Sequence, residues 1–166
     1  FAEFSRTRPG YTLRFIGNST ERAVLAARAV ERGVSDSVEF LDAVPAAELR
    51  PRLTRAAASL ATLRPGSGYD YAFTTKAYSA LAAGCPVIFA GPGPTAPFLR
   101  EAGLHVRAGE AVDYDPAAVA RAMGAIADEG PDASARAATA RWTERHHSMS
   151  AVAERVRAVV EAAAGR

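Results

Sequence analysis

The sequence predicts an α/β fold, a Rossmann-like three-layer sandwich with a parallel sheet of about five or six strands and a helical C-terminus. Three observations predict it. Short apolar runs of strand length alternate with longer helical patterns; glycines close two of those helices; and a valine stripe at helical spacing marks the end of the chain. With 166 residues, 49% hydrophobic and 23% charged, the chain has the make-up of one globular domain with a full core.

The first expected strand is Thr12 to Gly17, followed by a helix over about Thr20 to Arg32 that Gly33 ends. A strand over Ser37 to Leu41 leads through Pro45 into a helix over Ala46 to Ala57, and Ala58 to Leu63 form a buried run. Arg64 to Phe73 open on turn residues and end on aromatics, the pattern of a long functional loop. Thr74 and Thr75 offer an N-cap for a helix over Lys76 to Ala83, which Gly84 closes before a strand over Pro86 to Ala90. Next come a Gly91 to Pro94 loop, a short helix near Pro97 to Ala102 and a short strand near Leu104 to Arg107. The remainder reads as helix, with Val152, Val156, Val159 and Val160 forming a stripe that packs on the body. The chain opens at Phe1 within a helical pattern and without a methionine, so we take it for a piece whose preceding segment is missing.

The charge balance, 20 basic against 18 acidic residues without runs of either, gives little reason to expect nucleic acid or an anionic membrane as partner. No apolar stretch approaches the roughly 18 to 20 residues of a membrane span, and no secretory leader is read. The single cysteine, Cys85, lies in an apolar run and reads as a buried, inert thiol of a reducing compartment, so a cytoplasmic location is expected. Peripheral association of a parent protein with a membrane stays compatible with this.

The informative segment is the long loop and the helix after it. A helix following a strand and loop offers unpaired N–H groups and a partial positive charge, which together suit a phosphate. Lys76 stands in that first turn against the dipole, a placement that makes sense with an anion between them; it is the only lysine, the other 19 basic residues being arginines. The bland alternative is a solvated surface lysine.

Leu13 to Asn18, then Val34 to Leu41, then Thr75-Lys76-Ala77-Tyr78-Ser79-Ala80-Leu81-Ala82-Ala83-Gly84-Cys85-Pro86-Val87-Ile88 form an ordered set. That set resembles the donor-binding domain of family 4 (group 1) glycosyltransferases, over about Ala2 to Val160. The resemblance implies the C-terminal half of a two-domain GT-B enzyme, residues 1–166 being one domain that holds a nucleotide-diphosphate sugar. The N-terminal half, absent from this chain, would mainly hold the acceptor. It further implies sugar transfer with retention of configuration and no metal or other cofactor, basic side chains and the helix start neutralising the leaving diphosphate.

Carried onto this chain, the amides of Thr74, Thr75 and Lys76 would face the diphosphate and Lys76 would stabilise it as it leaves. Gly17 and Asn18 would form a loop near the donor, and the base would lie against Phe40, Leu41 and the residues to Val44. The family's paired glutamates, with seven residues between them, fall on Tyr71 and Ser79. Ser79 retains one hydrogen bond toward a ribose hydroxyl, and Asp70 is a substitute for the first glutamate if the loop shifts. Ser67 reads as loop, in reach of sugar or phosphate; Gly66-Ser67-Gly68 lacks the frame of a nucleophile elbow. The two departures keep open a degenerate domain that only binds a ligand or partner, and a UDP-sugar 2-epimerase relative is the nearest enzymatic alternative.

Weaker patterns carry less. Gly91-Pro92-Gly93-Pro94-Thr95-Ala96 fits a dinucleotide fingerprint in form, yet its prolines remove the donors such a turn exists to offer. His146 and His147, adjacent on a helix, make a poor metal pair and read as a helix end, with Ser148 or Ser150 capping the next helix. His105 reads as structural, and no spacing suggests zinc.

Overall fold

The computed structural model describes residues 1–165. In chain order it contains α1 (Ala2–Thr7), β1 (Leu13–Ile16), α2 (Arg22–Glu31), β2 (Val38–Leu41), α3 (Ala46–Arg55), β3 (Ser59–Thr62) and α4 (Lys76–Ala82). There follow β4 (Val87–Ala90), α5 (Thr95–Gly103), β5 (Gly109–Val112), α6 (Pro116–Glu129), α7 (Ala133–His147) and α8 (Met149–Ala164). Every strand pair is parallel.

The core is built on the alternation of β4, whose four residues are all buried. Val87 and Phe89 face one side with Ala61 of β3, and there they pack against Ala77, Ala80 and Leu81 of α4, Leu99 and Ala102 of α5, and Trp142 of α7. Ile88 faces the other side with Leu60 and Val112 and packs against Ala122 and Ile126 of α6. The result is helix, sheet, helix. Gly84 closes α4 at φ +71°, where a Cβ would collide with the Arg136 backbone, so only glycine lets α4 and α7 approach this closely.

The sheet departs from the expected single unit. Its five strands fall into two sets, β1–β2 and β3–β4–β5. Gly17 N–H bonds Leu41 O, and Ser59 N–H and Leu63 N–H bond Pro86 O and Ala90 O. By the alternation of a strand, Arg14 and Ile16 on β1, and Leu60 and Thr62 on β3, therefore turn their backbone groups to sides where no strand among the described residues pairs with them. Helix α1, which enters β1, packs on α6, which covers the three-stranded set.

Three further expectations are corrected. The strand placed at Leu104 to Arg107 is instead the close of α5: Leu104 N–H bonds Glu101 O, and His105 and Val106 N–H both bond Ala102 O, which uses the donors a ladder would need. The strand forms at Gly109–Val112, interrupting what was read as continuous helix, because Gly109 at φ +103° lets the chain lie directly against Val87. The valine stripe of α8 does not pack on this body: Val156, Val159 and Val160 are 57%, 70% and 60% exposed.

The end of α7 agrees with the reading. The helix stops at His147, and the Ser148 hydroxyl accepts from Ala151 N–H at 3.1 Å to cap α8.

Candidate functional site

Two clusters hold the residues that the sequence assigned to donor binding and catalysis. The first sits at the C-terminal ends of β1 and β2, the end of a parallel sheet where ligands of α/β folds bind. Gly17 takes φ +132° and donates its N–H to Leu41 O at 3.1 Å, which sets Asn18 on the exposed turn beyond. Phe40 stacks on Phe15, its register partner's ring, with centroids 5.1 Å apart and 9° between planes.

Arg22, which sequence reasoning missed, organises this corner. Its guanidinium donates to Phe40 O at 2.9 Å and to Asp42 Oδ1 at 3.1 Å, and lies 5.8 Å from the centroid of the Phe40 ring. A signal was available. An arginine at the first position of a helix opposes the dipole, the same argument applied to Lys76, and here the compensating anion is Asp42.

The second cluster is the loop between β3 and α4 with the first turns of that helix. The Asp70 carboxylate accepts the Gly66 N–H at 3.0 and 3.2 Å, so it closes the turn that carries Ser67, whose hydroxyl donates to Arg64 O at 2.6 Å. Tyr71 is 81% exposed and has no aromatic partner among the described residues. Lys76 and Ser79 are exposed and three residues apart on α4, which puts them on one face; no acidic residue shares the helix's first turn.

The expected capping by Thr74 or Thr75 is not found. Thr75 is already helical at φ −60°, ψ −21°, so its hydroxyl is not placed to accept from the first turn, and neither side chain makes a cap bond. Thr74 is buried; its N–H donates to the hydroxyl of Thr95 at 2.9 Å, while its own Oγ1 has no partner among the described residues. Beneath the loop, Phe73 packs on Tyr78 and Phe98, with centroids 4.5 and 5.2 Å away. No hydrogen bond or ion pair among the described residues joins the first cluster to the second.

Cys85 belongs to neither cluster. It is fully buried, and burial pushes its thiol up to about 11, against a smaller opposing effect of the Arg136 guanidinium. That is the electrostatics of an inert core thiol. No helix among the described residues is long and apolar enough to cross a membrane.

Comparison with solved structures defines the class. The chain is similar to the pneumococcal O-GlcNAc transferase GtfA in complex with UDP and GlcNAc, at TM-score 0.70 and 14% identity over 96% of this chain and 31% of that one. It is similar to WaaG, a glycosyltransferase involved in lipopolysaccharide biosynthesis, at TM-score 0.59 and 19% identity over 87% of this chain and 36% of that one. It is also similar to AviGT4, a glycosyltransferase involved in avilamycin A biosynthesis, at TM-score 0.55 and 22% identity over 87% of this chain and 44% of that one. The fold is that of GT-B glycosyltransferases, and the chain spans less than half of each of these proteins.

The family model of glycosyl transferases group 1 matches residues 1–129, which include both clusters. The chain belongs to the group 1 glycosyltransferases. The curated proteins give no match.

Proposed function

We propose that this chain is the donor-binding half of a two-domain glycosyltransferase. It holds a nucleotide-diphosphate sugar, and a second domain holds the acceptor. The observation that carries this reading is the group 1 match over the segment where a single lysine stands, unneutralised, at the start of the helix after the long loop. The share of each solved neighbour that the chain covers supports the division into halves, as does the bare valine face of α8.

In this reading the diphosphate lies against the amides of Thr74, Thr75 and Lys76, with the Lys76 ammonium beside it. As the bond between sugar and diphosphate breaks, negative charge builds on the leaving oxygen, and a fixed cation there lowers the barrier without a metal. The base lies against the Phe40 and Leu41 segment that Arg22 holds, with Gly17 and Asn18 lining the approach. Ser79, on the same face as Lys76, gives one hydrogen bond to a ribose hydroxyl. Transfer with retention of configuration follows the family. The parent acts as a cytoplasmic enzyme, and the isolated half does not turn over.

One observation favours a second reading, a domain that binds but does not transfer. Tyr71 and Ser79 occupy the places of two carboxylates, and the nearest acid, Asp70, is engaged with the Gly66 amide. A titration of the chain with UDP, GDP, ADP and TDP, followed by NMR, tests binding and identifies the base. Joining the chain to its acceptor half and assaying sugar release from the matching donor separates transfer from binding alone.

A further inference from the structure

We infer that Thr95 is the positioning residue of the donor loop: it fixes where Thr74, and with it Lys76, stands. This deepens the donor-site reading and rests on it. Thr95 opens α5, more than twenty positions from the loop in sequence, and its side chain is fully buried. Its hydroxyl accepts the Thr74 N–H at 2.9 Å. That N–H precedes α4 and belongs to a buried residue, so the Thr95 oxygen is the acceptor that satisfies it.

The rest of the turn is shaped to the same loop. Gly93, at φ +95°, lies under the backbone of Asp70 and Ala72; a Cβ there would come within 2.7 Å of Asp70 O and 3.1 Å of Ala72 O. Gly91 likewise leaves no room for a side chain against Leu63. Pro92 and Pro94, which spoil this segment as a dinucleotide fingerprint, stiffen the turn between these contacts. The turn therefore grips the loop at its entry, near its middle and at its exit. Thr95 is the polar fastening at the exit, two residues before Lys76.

The test uses Thr95→Val, which keeps the shape and removes the acceptor, Thr95→Ser, which restores it, and Gly93→Ala, which pushes on the Asp70 and Ala72 carbonyls. The readouts are amide exchange by NMR and titration with whichever of UDP, GDP, ADP or TDP shifts the wild-type spectrum. Thr95→Val is expected to speed exchange at Thr74 by about tenfold or more, since a buried donor loses its partner. Amides of Val87 to Ala90 should keep wild-type rates. Nucleotide binding should weaken in parallel, Thr95→Ser should restore both, and Gly93→Ala should reproduce the local pattern should Thr95→Val not fold.

Unchanged exchange at Thr74 overturns the proposal. So does acceleration spread equally over β4, which would make Thr95 a general core residue, or nucleotide binding that survives a released Thr74. Should the wild type bind no nucleotide, the donor reading fails separately, and the exchange data still decide the role of Thr95.

Discussion

Arg22 reaches from the start of α2 to the end of β2, where its guanidinium donates to the Phe40 carbonyl at 2.9 Å and lies across the Phe40 ring. One side chain thus holds backbone and ring of the segment assigned to the nucleotide base. Its ion pair with Asp42 is well exposed and adds little to stability by itself.

Arg22→Ala is therefore expected to cost at most about 1 kcal/mol in global stability, yet to broaden the amide signals of Phe40 to Asp42 and weaken nucleotide binding several-fold. Chemical denaturation and NMR on one sample separate the two effects. A stability loss without a local change would remove Arg22 from the site.

The Cys85 thiol gives a pH prediction. Burial raises it to about 11 in the fold, above its ordinary 9.0, so the neutral thiol is favoured by folding. That contribution is intact below the ordinary value and is lost as pH rises from about 9 to 11. The expected loss is on the order of 2 to 3 kcal/mol over this range. Cys85→Ala should flatten the part of the stability curve due to the thiol, and the native protein should resist thiol reagents at pH 8.

His147 predicts sensitivity at the acid end. Burial, followed by the charges of Arg155 and His146, lowers its pKa, with Glu101 opposing. The ring packs against Tyr78, Phe98 and Trp142, so folding favours the neutral form. Stability associated with His147 is present above the ordinary histidine value and declines as pH falls through the lowered one. Thermal unfolding between pH 7 and 5 should show this decline, and His147→Phe, which keeps the aromatic packing, should reduce it.

Helix α4 and strand β4 were legible because their signals are local: Ala77, Ala80 and Leu81 at helical spacing, Gly84 as terminator, then four buried strand residues. The start of α4 at Lys76 was legible for the same reason. What the sequence could not convey was tertiary. Gly109–Val112 carries no alternation of its own and becomes a strand only because its glycine admits the chain beside Val87. Leu104 to Arg107 has better strand chemistry, but the close of α5 takes its donors. The valines of α8 give the periodicity of a buried face without saying what buries it. Arg22 carries a helix-start signal, but its hold on Phe40 and the hold of Thr95 on Thr74 run through partners distant in sequence, which the fold brings together.

The unpaired sides of β1 and β3 predict an exchange pattern. The amides of Ile16 and Leu60, directed away from their strand partners, should exchange much faster than those of Phe15 and Ala61, which face them. Equal protection of both pairs in the present chain would contradict the pairing described.

Mapping amide shifts during titration with UDP, GDP, ADP and TDP tests whether the loop and first turn of α4 hold the diphosphate of a nucleotide sugar. One nucleotide is expected to shift Thr74, Thr75 and Lys76 together with Phe40 and Leu41, and Lys76→Ala to weaken this binding by about tenfold, as for loss of one charge-assisted contact. Silence from all four on a folded sample, or binding that Lys76→Ala leaves unchanged, would contradict that placement of the diphosphate.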